Sequence, residues 1–253
     1  MIREVFMGLL LPFCGTSLGA AGVFLFRGRL QNRLGMLLND AAAGVMAAAS
    51  VFSLLLPAMA AAGKQGQTPW LVTTLGFALG AGLLWAWDVV SERMNRRQGV
   101  GHSTRMLVLS VCLHNIPEGM AVGAAYAGLV FGNDAVTAMG AFSLSLGIAL
   151  QNLPEGAIIS LPLHAQGMGR RRAFACGVLS GVSEPIAGAV TILLSRAAVP
   201  ALPLLLSFAA GAMGYVVGFE LLPETAKERP KIPGILSVLG GFALMTALDL
   251  LLG

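Results

Sequence analysis

The chain has 253 residues, of which 56% are apolar types and only 11% are charged, and its mean hydropathy is +0.80. Soluble domains carry about 25% charged residues, so these numbers exclude a water-soluble globule. So much apolar surface excludes a disordered chain as well. Sixteen Lys and Arg against 12 Asp and Glu leave a net charge of +4, read here as orientation charge on membrane loops and not as a nucleic-acid surface.

Eight apolar runs follow in chain order, at residues 4–26, 36–62, 69–92, 104–130, 134–163, 172–195, 200–222 and 233–252. Each is long enough for the roughly 20 residues that a helical span needs. They predict an all-α polytopic membrane protein, an eight-transmembrane-helix bundle forming one domain over residues 1–253. The first run resembles a signal peptide at its start, but it continues to Phe26 and meets a basic stop at Arg27-Gly28-Arg29. It is read as a retained span.

Basic residues fall unevenly on the loops. Arg27, Arg29 and Arg33 follow the first span, and Arg93, Arg96, Arg97 and Arg105 the third. Arg170, Arg171 and Arg172 follow the fifth, and Lys227, Arg229 and Lys231 the seventh. Arg3, Lys64 and Arg196 stand on the other side. Loops rich in Lys and Arg stay in the cytoplasm, so both termini are expected to be extracytoplasmic. Cys14, Cys112 and Cys176 lie in apolar runs without a CxxC pair. They read as small buried hydrophobes and not as a disulfide framework.

Three spans carry glutamate at depth, where each charge costs about 2.5–3.5 kcal/mol to insert. The fourth holds His114-Asn115-Ile116-Pro117-Glu118-Gly119, and the fifth repeats it 37 residues later as Gln151-Asn152-Leu153-Pro154-Glu155-Gly156. The sixth holds Ser183-Glu184-Pro185. His114 and Glu118 are four residues apart and share a helix face, as do Gln151 and Glu155. Asn115 and Asn152 stand at the edge of the same sector. Each proline removes a backbone donor one turn from its neighbour's carbonyl. Such irregular polar backbone is tolerated in a membrane only where it is buried in protein or lines a cavity.

No Lys or Arg lies at this depth in the three spans. A proton on each carboxyl or a bound cation must therefore compensate the charge. Imidazole nitrogen with carboxylate and amide oxygens suits borderline divalent ions: zinc, iron(II), manganese or cadmium.

The paired motifs, with Glu184 after them, resemble the ZIP (Zrt/Irt-like) divalent-metal transporters, in particular their bacterial GufA-like branch. The similarity extends to Ala43-Gly44-Val45-Met46 with Ser50 and Ser53, to Ser180-Gly181-Val182-Ser183-Glu184-Pro185, and to Glu220-Leu221-Leu222-Pro223-Glu224. The resemblance implies eight helices with both termini outside, in a bacterial cytoplasmic (inner) membrane. It implies transport of zinc, or of another divalent metal, into the cytoplasm as substrate, with no resident cofactor. His114, Glu118, Gln151 and Glu155 would form one metal position. Asn115, Asn152 and Glu184 would form a second, bridged by Glu118 or Glu155. Many members have histidine where this chain has Gln151, a weaker zinc ligand. The histidine-rich loop of many eukaryotic members is missing, and only His102 remains there. The family is often dimeric, and no residue of this chain demonstrates it.

Other residues suit an ion path. Met46, Ser50 and Ser53 sit on the second span, Asp88 and Glu92 at the cytoplasmic end of the third, and Glu220 and Glu224 at that end of the seventh, with His102 nearby in the loop. Two other functions compete. An intramembrane metal-dependent hydrolase would favour several histidines at the metal, and only His114 is deep, with no HExxH. A proton-coupled carrier of an organic anion would want deep arginine, and there is none.

Overall fold

Every predicted run is helical in the computed structural model, which describes residues 2–25, 29–97, 103–130, 137–223 and 231–252. Among these residues there is no strand. Helix α1 comprises Ile2–Ala20 and Gly22–Leu25. Helix α2 runs through Arg29–Ala49, a π-helical Ser50–Leu55 and Leu56–Lys64. Helix α3 is Pro69–Arg97, α4 is Ser103–Val130 and α5 is Ala138–Ala165. Helix α6 has two parts, Arg170–Gly181 and Ser183–Ala198. Helix α7 is Leu202–Tyr215 continued by a π-helical Val216–Leu221, and α8 is Lys231–Leu252.

Seven of the eight are long and apolar enough to cross a membrane over their described residues. The eighth, α4, is 28 residues long and carries Pro117 inside it.

Local chemistry sets the helix ends. Helix α5 starts at Ala138, later than the expected 134, because Thr137 caps it with Oγ1 accepting the Gly140 N–H at 2.9 Å. Two glycines close helices in the left-handed conformation. Gly66 has φ +69° and Gly167 has φ +97°. After each, the chain makes the paired reverse bonds of a Schellman stop: Gly66 N–H to Gly63 and Gln67 N–H to Ala62, then Gly167 N–H to His164 and Met168 N–H to Leu163.

The helices pack most closely in four pairs: α1 on α5, α4 on α6, α3 on α7 and α2 on α8. Exchanging α1 with α6, α2 with α7, α3 with α8 and α4 with α5 maps these pairs onto one another. The two π-helical segments, in α2 and α7, obey the same exchange. All four pairs meet through glycine. Gly15 and Gly19 lie against the carbonyls of Ala149 and Leu153, Gly119 against that of Glu184, Gly80 against that of Phe208, and Gly241 against that of Ala41. A Cβ at any of these positions would strike backbone, so glycine sets the interhelical distance, as small residues do in membrane bundles. Gly76 and Gly123 also lie in these seams, facing Ser207 and Gly188.

The apolar core joins the pairs along α2, α4, α5 and α7, with Met46, Val122, Leu144, Ile148 and Leu206 at its centre. Outward faces expose large hydrophobics such as Leu193 and Leu236, together with Trp70 and Trp85. In a bundle with these spans such faces meet lipid. The polar residues of α4, α5 and α6 are left on the inside.

Candidate metal site

Helices α4 and α5 run without a break through Pro117 and Pro154. In each motif the residue after the glutamate admits a neighbouring backbone: Gly119 accommodates the carbonyl of Glu184, and Gly156 that of Thr16 in α1. Helix α6 does break, at Val182, whose N–H reaches back to Leu179 at 3.3 Å. Pro185 explains the position, since it has no N–H to give the carbonyl of Gly181 and its ring crowds that group. The Ser180 carbonyl at the break accepts Ser183 Oγ at 3.0 Å and Asn115 Nδ2 at 3.3 Å. The interruption therefore lies two residues before Glu184 and is filled by polar groups of the site.

The three glutamates converge. Glu118 and Glu184 are each 1% exposed, and the Glu118, Glu155 and Glu184 carboxylates are close enough to interact electrostatically. Glu118 Oε1 accepts Gln151 Nε2 at 2.6 Å. Glu184 Oε1 accepts two donors at 2.8 Å, Asn115 Nδ2 and Thr16 Oγ1. Asn152 lies beside both Glu118 and Glu184.

What remains, beside the Asn152 Nδ2 donor, is a set of buried acceptors. Asn115 Oδ1, Glu118 Oε2, Gln151 Oε1, Asn152 Oδ1, Glu155 Oε2 and Glu184 Oε2 have no hydrogen-bond partner among the described residues. Buried polar atoms are almost always satisfied, and an isolated buried carboxylate is very costly. Six such oxygens together call for something that presents only positive charge or donors. A cation held by carboxylate and amide oxygens meets that need.

His114 belongs to a neighbouring group. Its Nε2 is 3.4 Å from Glu220 Oε1, and ligand atoms of Asp88, His114 and Glu220 all fall within 4.8 Å of one another. Tyr215 donates its hydroxyl to Asp88 Oδ2 at 2.7 Å. Glu220 also interacts electrostatically with Glu155, so the two groups adjoin. The structure thus joins residues that the sequence separated, one as a site ligand and two as path residues. Glu220 sits on the π-helical segment of α7, a distortion often found at functional sites.

The second span divides. Met46 is buried in the apolar core, and Ser50 donates to the Met46 carbonyl at 2.7 Å within its own helix. Ser53, on the other π-helical segment, has its Oγ 2.9 Å from both carboxylate oxygens of Asp249 and shares its one proton between them. Ser143 reaches Asp249 Oδ1 at 3.4 Å. Ser53, Asp249 and Thr137 line a cavity of about 280 Å³ walled by apolar residues such as Phe52 and Leu144. Glu92 is exposed on α3. His102 and Glu224 lie outside the described residues.

Sequence reasoning missed Thr16, Tyr215 and Asp249. Asp249 had a readable signal, a lone acid in the apolar run Ala247-Leu248-Asp249-Leu250-Leu251. Thr16 had none beyond a hydroxyl in an apolar span, and its partner is 168 positions away.

Comparison with known proteins agrees with this architecture. Residues 90–249 match the family model described as ZIP Zinc transporter. The chain is 35% identical over 256 aligned positions to the Zinc transporter ZIPB of Bordetella bronchiseptica, covering 95% of this chain and 79% of that protein. It is 33% identical to the Zinc transporter GufA of Myxococcus xanthus, covering 80% of this chain and 81% of that protein. With the Zinc transporter ZIP11 of Xenopus tropicalis it shares 31% identity, over 100% of this chain and 98% of that protein.

Proposed function

As the chain belongs to the ZIP zinc transporter family, we propose that it moves a divalent cation, zinc first, across the membrane into the cytoplasm. The family is one of transporters and not of enzymes, and the protein is an integral membrane protein. For this chain we place it in a bacterial cytoplasmic membrane.

The observation that carries the reading is the set of six orphaned oxygens on Asn115, Glu118, Gln151, Asn152, Glu155 and Glu184. Two adjoining positions account for them. Glu118, Gln151 and Glu155 hold one ion, with His114 a turn away on the α4 face. Asn115, Asn152 and Glu184 hold a second, and Glu118 or Glu155 bridges. The site's carboxylates match a doubly charged ion without a buried counter-cation. The mixed nitrogen and oxygen donors suit zinc, with iron(II), manganese and cadmium as competitors.

A path follows from the flanking groups. The ion arrives through the cavity at Asp249 and Ser53, near the C-terminal end of α8. It leaves by Asp88, His114 and Glu220, near the end of α3 that precedes the arginines. The charge asymmetry of the loops makes that direction inward. An inside-negative potential favours it by about 2.3 kcal/mol per charge per 100 mV, and the sequence holds no GxxxxGK[ST] for a nucleotide.

Uptake of zinc into proteoliposomes tests the reading, comparing wild type with Glu155→Ala. Saturable uptake that the substitution abolishes is expected. A folded, zinc-binding protein with no flux of any divalent ion would overturn it.

A further inference from the structure

Helix α1 carries neither a repeated motif nor a carboxylate at depth, yet one of its side chains reaches the site. Thr16 is fully buried. Its Oγ1 is 2.8 Å from Glu184 Oε1, against 3.4 Å from the Pro12 carbonyl one turn back. A hydroxyl has one proton to give, and the shorter contact to the carboxylate takes it. Two glycines make room for this approach. A Cβ on Gly156 would strike the Thr16 carbonyl, and a Cβ on Gly181 would lie 2.9 Å from Thr16 Cβ and 3.1 Å from Oγ1. Gly156 directly follows Glu155, and Gly181 directly precedes the break before Glu184. Thr16 is therefore seated between the backbones that carry two of the three glutamates.

The consequence falls on one carboxylate. Glu184 Oε1 receives both Thr16 and Asn115, while Oε2 receives no donor among the described residues. The two-fold rotation of a carboxylate about its last bond is soft. Two donors converging from α1 and α4 on the same oxygen fix that rotation and leave the other oxygen facing the acceptor cluster. We infer that Thr16 is a positioning residue of the cation site, holding Glu184 so that Oε2 is presented as a ligand. Thr16 does not itself coordinate the ion. The inference rests on the transport reading above.

Zinc uptake into proteoliposomes tests it with wild type, Thr16→Val, Thr16→Ser and Glu184→Gln, together with the Thr16→Val, Glu184→Gln double variant. Valine keeps the size and the methyl group and removes only the donor. A hydrogen bond to a charged group is worth enough to change affinity about tenfold. Thr16→Val should raise the KM for zinc by about that factor with little change in maximal rate, and Thr16→Ser should restore it. In the Glu184→Gln background the valine should add little, since the group that Thr16 then presents is an amide NH2 and not a ligand oxygen. Thr16→Val with wild-type KM overturns the inference. So does an effect of valine that persists undiminished beside Glu184→Gln. A loss of zinc-free thermal stability that serine does not rescue marks packing alone and overturns it too. Absence of uptake by wild type is a different failure, and it removes the transport reading itself.

Discussion

Gln151 donates to Glu118 at 2.6 Å, so the amide of the second motif holds the carboxylate of the first. The residue in the same place in the first motif is His114, and it turns to Glu220. One repeat thus spends its leading residue inside the site and the other spends it toward α7. Replacing Gln151 by histidine should supply an imidazole to the glutamates, a better zinc ligand than an amide oxygen. Competition uptake with zinc and manganese reads the result. A several-fold lower KM for zinc and a wider margin over manganese are expected for Gln151→His. An unchanged metal order would remove Gln151 from the ion's coordination.

The Asp249 carboxylate faces a 280 Å³ cavity and is held by Ser53 and Ser143. As a negative charge at the mouth of the proposed path it should raise the local cation concentration and not the rate of translocation. Asp249→Asn is therefore expected to raise the KM for zinc several-fold and leave the maximal rate alone. The difference from wild type should shrink as salt is raised, because screening weakens the same attraction. Ser53→Ala, which removes a holding contact and no charge, should do less. Equal kinetics for Asp249→Asn and wild type at low salt would dismiss this cavity as the way in.

The bundle was legible because membrane insertion writes itself in one dimension: run length gives the span. The polar motifs were legible for a related reason. Pro-Glu-Gly in a membrane run is too costly to be neutral, and the repeat at 114 and 151 marked both copies. What the sequence did not show depends on helix pairing. Thr16 meets Glu184 only because α1 packs on α5 and α6. Asp88 meets His114 and Glu220 only because α3, α4 and α7 converge. The π-helical segments at Ser50–Leu55 and Val216–Leu221 have no sequence signature, yet they carry Ser53 and Glu220. Ser50 was expected on the path, and a backbone carbonyl one turn away claims its hydroxyl instead.

Glycine contacts make a stability prediction with an internal control. A Cβ on Gly19 would strike the Leu153 carbonyl, whereas Gly82 and Gly240 face nothing within 4 Å. Gly19→Val must push α1 off α5, so it should lower the melting temperature in detergent by several degrees or prevent assembly. Gly82→Ala and Gly240→Ala should be neutral or stabilising, because alanine favours a helix over glycine by about 0.5–1 kcal/mol. Thermal unfolding followed by tryptophan fluorescence reads all three. Equal behaviour of Gly19→Val and Gly240→Ala would refute the role given to the glycine seams.

The junction between Glu220 and the three glutamates is where the proposed path should pass from binding to release. Glu220 lies 3.4 Å from His114 Nε2 and interacts with Glu155, but it belongs to α7 and has no place in the oxygen cluster of α4, α5 and α6. If it receives the ion after that cluster, its charge governs departure. Glu220→Gln should then lower the maximal rate of zinc uptake about tenfold or more, by removing the carboxylate that competes for the ion. Binding at the cluster should persist. The shift in melting temperature on adding zinc, about 2.7 kcal/mol of stabilisation at 100 times the dissociation constant, should stay near the wild-type value. Glu118→Gln should do the reverse and lose most of that shift, since it removes a charge from the cluster itself. Measuring both quantities on both variants places each carboxylate on its own step. A zinc-induced shift lost equally in Glu220→Gln would move Glu220 into the primary binding site.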